Sequence, residues 1–211
     1  MFEIEYNGGN SVLITTKEMA LAIDPNVEML GLKSKKTKFG VQIATEKRFL
    51  VDVNEDVITL EGPGEYEVGP YAIRAAAAQR HIDQADQPKQ STVYHIDVME
   101  YRLAIVGNID PSLGEDQLET LGTVDILIVP VGGNGYTLDA SSATKIVRQV
   151  EPKIVIPVHY ADSGITYEVP QDSIDAFISE VGAPVEEVQT LKLKTAAAIP
   201  PSLTIYRLSR Q

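Results

Sequence analysis

Val124-Asp-Ile-Leu-Ile-Val-Pro-Val-Gly-Gly133, continued through Tyr136-Thr-Leu-Asp-Ala140 to Pro152-Lys-Ile-Val-Ile-Pro-Val-His-Tyr160, is the stretch on which the fold turns. Two runs in it, Asp125 to Pro130 and Lys153 to Val158, are apolar, of strand length and without polar alternation, as buried strands are. Between them Asp139 stands where a helix N-cap belongs. Ala143, Ile146, Val147 and Val150 then fall at i, i+3, i+4 and i+7, one apolar stripe of helical period. Pro152 ends that helix.

Downstream, Ile174, Phe177, Ile178 and Val181 repeat the helical stripe, Gly182 stops it, and Thr204 to Leu208 closes as a strand. Upstream, Glu115 to Leu121 reads as a short helix ended by Gly122. The rest of the first half is strand-like: Phe2 to Tyr6, Ser11 to Thr16, Leu21 to Ile23, Val41 to Ala44, Phe49 to Val53, Val57 to Leu60, Tyr71 to Ala75, Thr92 to Asp97 and Leu103 to Val106. These segments are short, rich in β-branched residues and separated by Gly, Pro, Asn and Asp. Gln84 to Gln90, with Pro88, reads as an exposed loop. Strands at both ends with helices between predict packed sheets covered by helices. No fixed-period repeat or long interior linker divides the chain, so residues 1–211 are expected to form one domain.

Composition narrows the function. With no cysteine, disulfides, thiolate catalysis and sulfur-ligated zinc are excluded. A net charge of −12 repels phosphate backbones and anionic lipid, which argues against nucleic-acid and membrane partners. The basic run Lys33-Ser-Lys-Lys-Thr-Lys38 reads as a solvated loop or a local anion-steering patch. The acidic, alternating start Met-Phe-Glu-Ile-Glu-Tyr lacks the pattern of a signal peptide, and a cytoplasmic location is expected.

Three groups of residues carry a resemblance. Gly9-Asn10-Ser11-Val12-Leu13-Ile14 with Leu21-Ala22-Ile23-Asp24-Pro25, Glu61-Gly-Pro-Gly-Glu-Tyr-Glu-Val68, and the stretch from Val124 to Tyr160 together resemble the metallo-β-lactamase superfamily. They are most similar to its branch of zinc-dependent hydrolases related to ascorbate-6-phosphate lactonase-like proteins. The resemblance implies a mixed α/β (α+β) four-layer αββα sandwich. It also implies one or two metal ions in a groove at the sandwich edge, where a metal-bound water of lowered pKa attacks an ester, lactone, amide or phosphodiester. The implied ligands are a His-x-His-x-Asp-His loop, a later His, an Asp and a final His.

The sequence departs from that ligand set. Where the family has Gly-His-Ser, Asn10 replaces the histidine. Glu46 and Arg48 stand where the first two loop histidines belong, and Leu50 and Val51 where the Asp and His belong. Arginine has no lone pair to offer a metal, and Leu and Val have no donor at all. The Gly-Asp step of the family reads Gly107-Asn108, with Asp110 two residues on; Asn108-Ile-Asp-Pro111 also reads as a plain turn into the next helix. Of three histidines, His159 follows the strand at Val158 and matches the family's last ligand, or serves as a hydrogen-bonded loop residue. His81 falls near the intermediate ligand position, and His95 reads as an ordinary strand residue. Glu65 and Glu67, which alternation would place on one face, read as part of a structural turn. Gly132-Gly-Asn-Gly135 lacks the Lys-Ser/Thr of a phosphate loop and reads as a turn bordering the groove.

The expectation is therefore a hydrolase-like scaffold without a metal cofactor, acting as a binding or scaffold protein. Asn10, Glu46, Arg48, His81, Asn108, Asp110 and His159 would line its former groove. Arg48 and Lys47 there would suit a small anionic ligand; assembly with a second copy is a further option. The alternative is a metal-dependent hydrolase with a weakly held zinc gripped by Glu46, His81, Asn108 or Asp110, and His159.

Overall fold

The computed structural model describes residues 2–33, 38–83, 86 and 88–211. Of the basic run, positions 34–37 fall outside them, as do 84, 85 and 87 of the polar loop. The chain forms β1 (Phe2–Gly8), β2 (Ser11–Thr15), β3 (Ala20–Ile23), β4 (Val41–Ile43), β5 (Ile58–Leu60), β6 (Gly64–Val68), β7 (Tyr71–Ala78), β8 (Ser91–Val98), β9 (Tyr101–Ile105), α1 (Glu115–Leu121), β10 (Ile126–Pro130), α2 (Ala140–Val150), β11 (Ile154–Val158), α3 (Ile174–Val181), β12 (Val185–Val188), β13 (Thr190–Leu193) and β14 (Thr204–Leu208). One sheet runs β13-β1-β2-β3-β4-β5 and the other β12-β14-β11-β10-β9-β8-β7-β6. The mixed α/β fold with two sheets and three helices is as expected for the αββα sandwich; among the described residues α1 and α2 pack on the larger sheet.

Period-two alternation drives the smaller sheet. Phe2, Ile4 and Tyr6 of β1 are buried while Glu3, Glu5 and Asn7 sit on the opposite face. The buried face meets the larger sheet, with the Phe2 and Tyr101 rings 4.7 Å apart across the interior. In the larger sheet β9, β10, β11, β14 and β12 pair in parallel. Here β10 and β11 are wholly buried because the other sheet covers one face and helices the other, which is why their sequences show no alternation. Helix α1 packs on β7 and β8, α2 on β10, and α3 on α2.

The outer face of the smaller sheet is covered differently. Leu13, Ala22 and Gln42 lie there beneath Pro25 to Leu32 and Leu50 to Asp52, with a cleft of about 580 Å³ between. Among the described residues the only helical turn in that cover is a 3-10 turn at Val27–Leu30. No helix of the described residues is long and apolar enough to cross a membrane.

Three sequence expectations are corrected. Phe49 to Val53 is no strand: Lys47–Phe49 is a 3-10 turn, and the Gln42 side chain satisfies both Val51 N–H and Val51 C=O, so no neighbouring strand is needed. Glu65 and Glu67 lie in β6 rather than in a turn, both exposed on one face as alternation requires. β12 and β13 were not visible in the sequence; Val185 to Glu187 of β12 are exposed, so the edge strand carries no buried stripe.

Asp139 caps α2 as expected, its carboxylate accepting from Ser142 N–H at 2.7 Å. Substituting Asp139→Ala is expected to destabilise the protein by about 1 kcal/mol in urea unfolding, the usual effect of losing an N-cap.

Candidate functional site

Loops after β1, β4, β7, β9, β10 and β11 gather at one edge of the sandwich, and their side chains form a single polar cluster. At its centre lies Glu46, only 4% exposed, on the 3-10 turn that follows β4. Asn26 holds that turn in place: its side chain donates to Arg48 C=O and its N–H to Phe49 C=O. Further back, Asp24 is buried and its carboxylate accepts from Thr45 N–H at 2.6 Å and Thr45 Oγ1 at 2.7 Å. Burial, opposed by those two bonds, pushes the Asp24 carboxyl up to about 7.

Both oxygens of Glu46 are engaged. Arg48 Nη2 donates to Oε1 at 3.4 Å, and Nε lies 3.0 Å from Oε2 as an ion pair without the angle of a hydrogen bond. Arg80 Nη1 also reaches Oε2, at 3.4 Å, while Arg80 is held from behind by Asp83 at 2.6 and 2.8 Å. Asn108 Nδ2 donates to Glu46 Oε1 at 3.3 Å, and Asn10 Nδ2 donates to Asn108 Oδ1 at 3.4 Å. Asn10, Glu46, Arg48 and Asn108, four positions expected to share the groove, thus form one network. Arg80 completes it. No residue pattern marks Arg80; only its place beside His81 at a strand end hinted at the groove.

Arg48 links this network to His159. Its Nη2 bonds the Tyr136 hydroxyl, its Nη1 faces both oxygens of Glu168 at 3.4 Å, and its guanidinium lies 4.8 Å from the Phe49 ring centre. Tyr136 stacks on the His159 imidazole at 5.6 Å, and Tyr167 packs on it at 4.8 Å. His159 Nδ1 bonds Gln171 Oε1 at 3.1 Å. Burial pushes the imidazole down to about 4 against the opposing Gln171 bond, so it is neutral at neutral pH. The His159 backbone is left-handed (φ 52°), and Gly132 packs so tightly against it that a Cβ there would lie 2.2 Å from the His159 carbonyl oxygen.

His81 joins through its backbone, its N–H donating to Asn108 C=O at 3.0 Å, and its buried Nδ1 has no hydrogen-bond partner among the described residues. Asp110 turns away: exposed, it accepts from Ser112 N–H at 2.9 Å, the turn reading of the sequence. Lys47 points outward to Glu61. His95 is the ordinary strand residue expected, buried in β8 with Nδ1 2.6 Å from Leu121 C=O. Among the described residues no three His, Asp or Glu side chains stand together as a metal-binding group.

The cluster stands at strand ends on one edge of a two-sheet sandwich, and a family model described as "Beta-lactamase superfamily domain" matches residues 3–159. The chain belongs to that superfamily. A UPF0173 metal-dependent hydrolase of Carboxydothermus hydrogenoformans is 32% identical over 102 residues, 47% of this chain. The match spans about a third of that relative's length, 34%. A metallo-beta-lactamase superfamily structure from Thermotoga maritima superposes with a TM-score of 0.76 at 18% identity, covering 99% of both chains. Igni18, a metallo hydrolase of Ignicoccus hospitalis, gives 0.62 at 16% identity, over 99% of this chain and 94% of that one. At these identities the two structures share the beta-lactamase superfamily fold with this chain, and the match in fold is the whole of their message.

Proposed function

We propose that this beta-lactamase superfamily member is a non-catalytic binding or scaffold protein whose groove holds no metal. One observation carries the reading: the single carboxylate of the former ligand loop, Glu46, is already gripped by Arg48 and Arg80. A divalent cation placed on Glu46 would meet two guanidiniums at the same oxygens, and their repulsion adds to the lack of donors. Asn10 and Asn108 turn their amides on each other and on Glu46, and neutral amides are weak zinc ligands. His159 is neutral, and with Nδ1 donating to Gln171 Oε1 its Nε2 could ligate, but one imidazole alone makes no site. A catalytic zinc site uses three protein ligands and an open position, and the cluster supplies no such set. The guanidiniums stand in for the cations that the fold family places here, so the carboxylate stays neutralised without an ion.

Metal content tests the reading. Protein grown with zinc in the medium and purified without chelators is expected to carry zinc, iron and manganese far below one equivalent per chain. Its melting temperature should be the same in added zinc as in a chelator, because a specifically bound ion would raise it by mass action. One equivalent of metal surviving dialysis, with a melting temperature that falls on chelation, would revive the metal-dependent hydrolase.

A further inference from the structure

We propose that the outward face of Arg48 is a binding site for a small carboxylate, and that Glu168 occupies it as an internal competitor. The inference rests on the metal-free reading above and adds the ligand class and its regulation.

Three sides of Arg48 are fixed from within: Glu46 along Nε and Nη2, the Tyr136 hydroxyl at Nη2, and the Phe49 ring against the guanidinium. Nη1 is left to face Glu168, and the side chain as a whole is 29% exposed. A guanidinium so locked presents its remaining N–H groups in a fixed direction, which suits a planar carboxylate better than a mobile ammonium would. What meets it is Glu168, itself a carboxylate and 56% exposed.

The contact is loose. Both Glu168 oxygens sit 3.4 Å from the one nitrogen, longer than the roughly 2.7–2.9 Å of a well-formed charge-assisted bond. An exposed pair of this kind adds little to stability. The loop that carries it is pinned independently, by Thr166 N–H to Leu30 C=O at 2.9 Å, Tyr167 Oη to Tyr160 C=O at 2.8 Å and Asp172 N–H to Gly132 C=O at 2.7 Å. Glu168 can therefore swing away by side-chain rotation alone. A free carboxylate arriving from solvent would take the same nitrogen at shorter range and leave the pinned loop undisturbed.

The test uses the full-length protein at constant ionic strength, with acetate as probe, inorganic phosphate as the second arm and chloride as the background anion. Binding is read from titration of the Arg48 side-chain NMR resonances. Glu168→Gln, at an exposed position, removes the competing charge and should tighten acetate binding roughly three- to fivefold, the scale of one exposed ion pair. Arg48→Lys should abolish the saturable response while circular dichroism stays native; the probe there is the Tyr136 ring resonances. Should Arg48→Lys fail to fold, the Glu168→Gln comparison decides alone. Equal acetate affinity with and without Glu168, or acetate binding retained in a folded Arg48→Lys, overturns the proposal. Phosphate bound more tightly than acetate overturns the carboxylate assignment. Zinc-free protein with no acetate response sinks this inference and spares the metal-free reading; stoichiometric zinc sinks both.

Discussion

Glu46→Ala is expected to cost about 3 kcal/mol of stability in urea unfolding, the range seen when one partner of a buried ion pair is removed. Glu46 is buried and bonded to Arg48, Arg80 and Asn108, so its loss takes the inward partner from two partly buried guanidiniums and one buried amide, leaving Arg48 to Tyr136 and Glu168 and Arg80 to Asp83. The network itself need not be stabilising relative to an apolar one. Glu46→Leu combined with Arg48→Met and Arg80→Met should recover only part of the loss, since it removes the three charges together but leaves Asp83 and the Asn108 amide without their partners. A single substitution costing under about 1 kcal/mol would mean that water or a counterion solvates the arginines as well as Glu46 does.

Asp24 gives the second large effect. Its folded carboxyl titrates near 7 against an ordinary value of 3.8. Between those values the folded chain keeps a proton that the unfolded chain has released. This contribution therefore favours folding at about pH 4, declines as pH rises towards 7, and is flat above. A three-unit shift corresponds to an upper bound of about 4 kcal/mol. His159 acts in the opposite sense: its folded pKa of about 4 lies below the ordinary 6.5, so its contribution grows as pH rises from 4 to 6.5. The wild type should consequently show a shallow profile across the window where the two oppose. Asp24→Asn isolates the first: the stability of wild type minus that of the variant should fall by up to about 4 kcal/mol from pH 4 to pH 7. A constant difference across that range would place Asp24 in contact with solvent.

Much of the architecture was written in the apolar pattern. α1 begins and ends at Glu115 and Leu121 as read, and the stripes through Val150 and Val181 mark the last turns of α2 and α3. The failures have a common physical origin. Strand patterns record burial, so exposed β12 left no trace, while Phe49 to Val53 looked like a strand because its apolar residues pack against a turn and a glutamine side chain. The site was legible where the family's ligand positions could be counted off, at Asn10, Glu46, Arg48, Asn108 and His159. Arg80, Tyr136 and Glu168 were not, because they act through the geometry of loops 34, 88 and 120 residues away from their partners, which no periodicity encodes.

The close approach of Gly132 to the His159 carbonyl joins two loops that arrive from different strands. With Asp172 N–H also bonded to Gly132 C=O, the turn after β10 and the segment after β11 move as one piece. Tyr136 rides on the first and the imidazole and Glu168 on the second, so the aromatic wall and the carboxylate cap share a common mount. Any side chain larger than hydrogen at position 132 would tilt that mount, and the altered angle would be felt at Arg48, which touches both Tyr136 and Glu168.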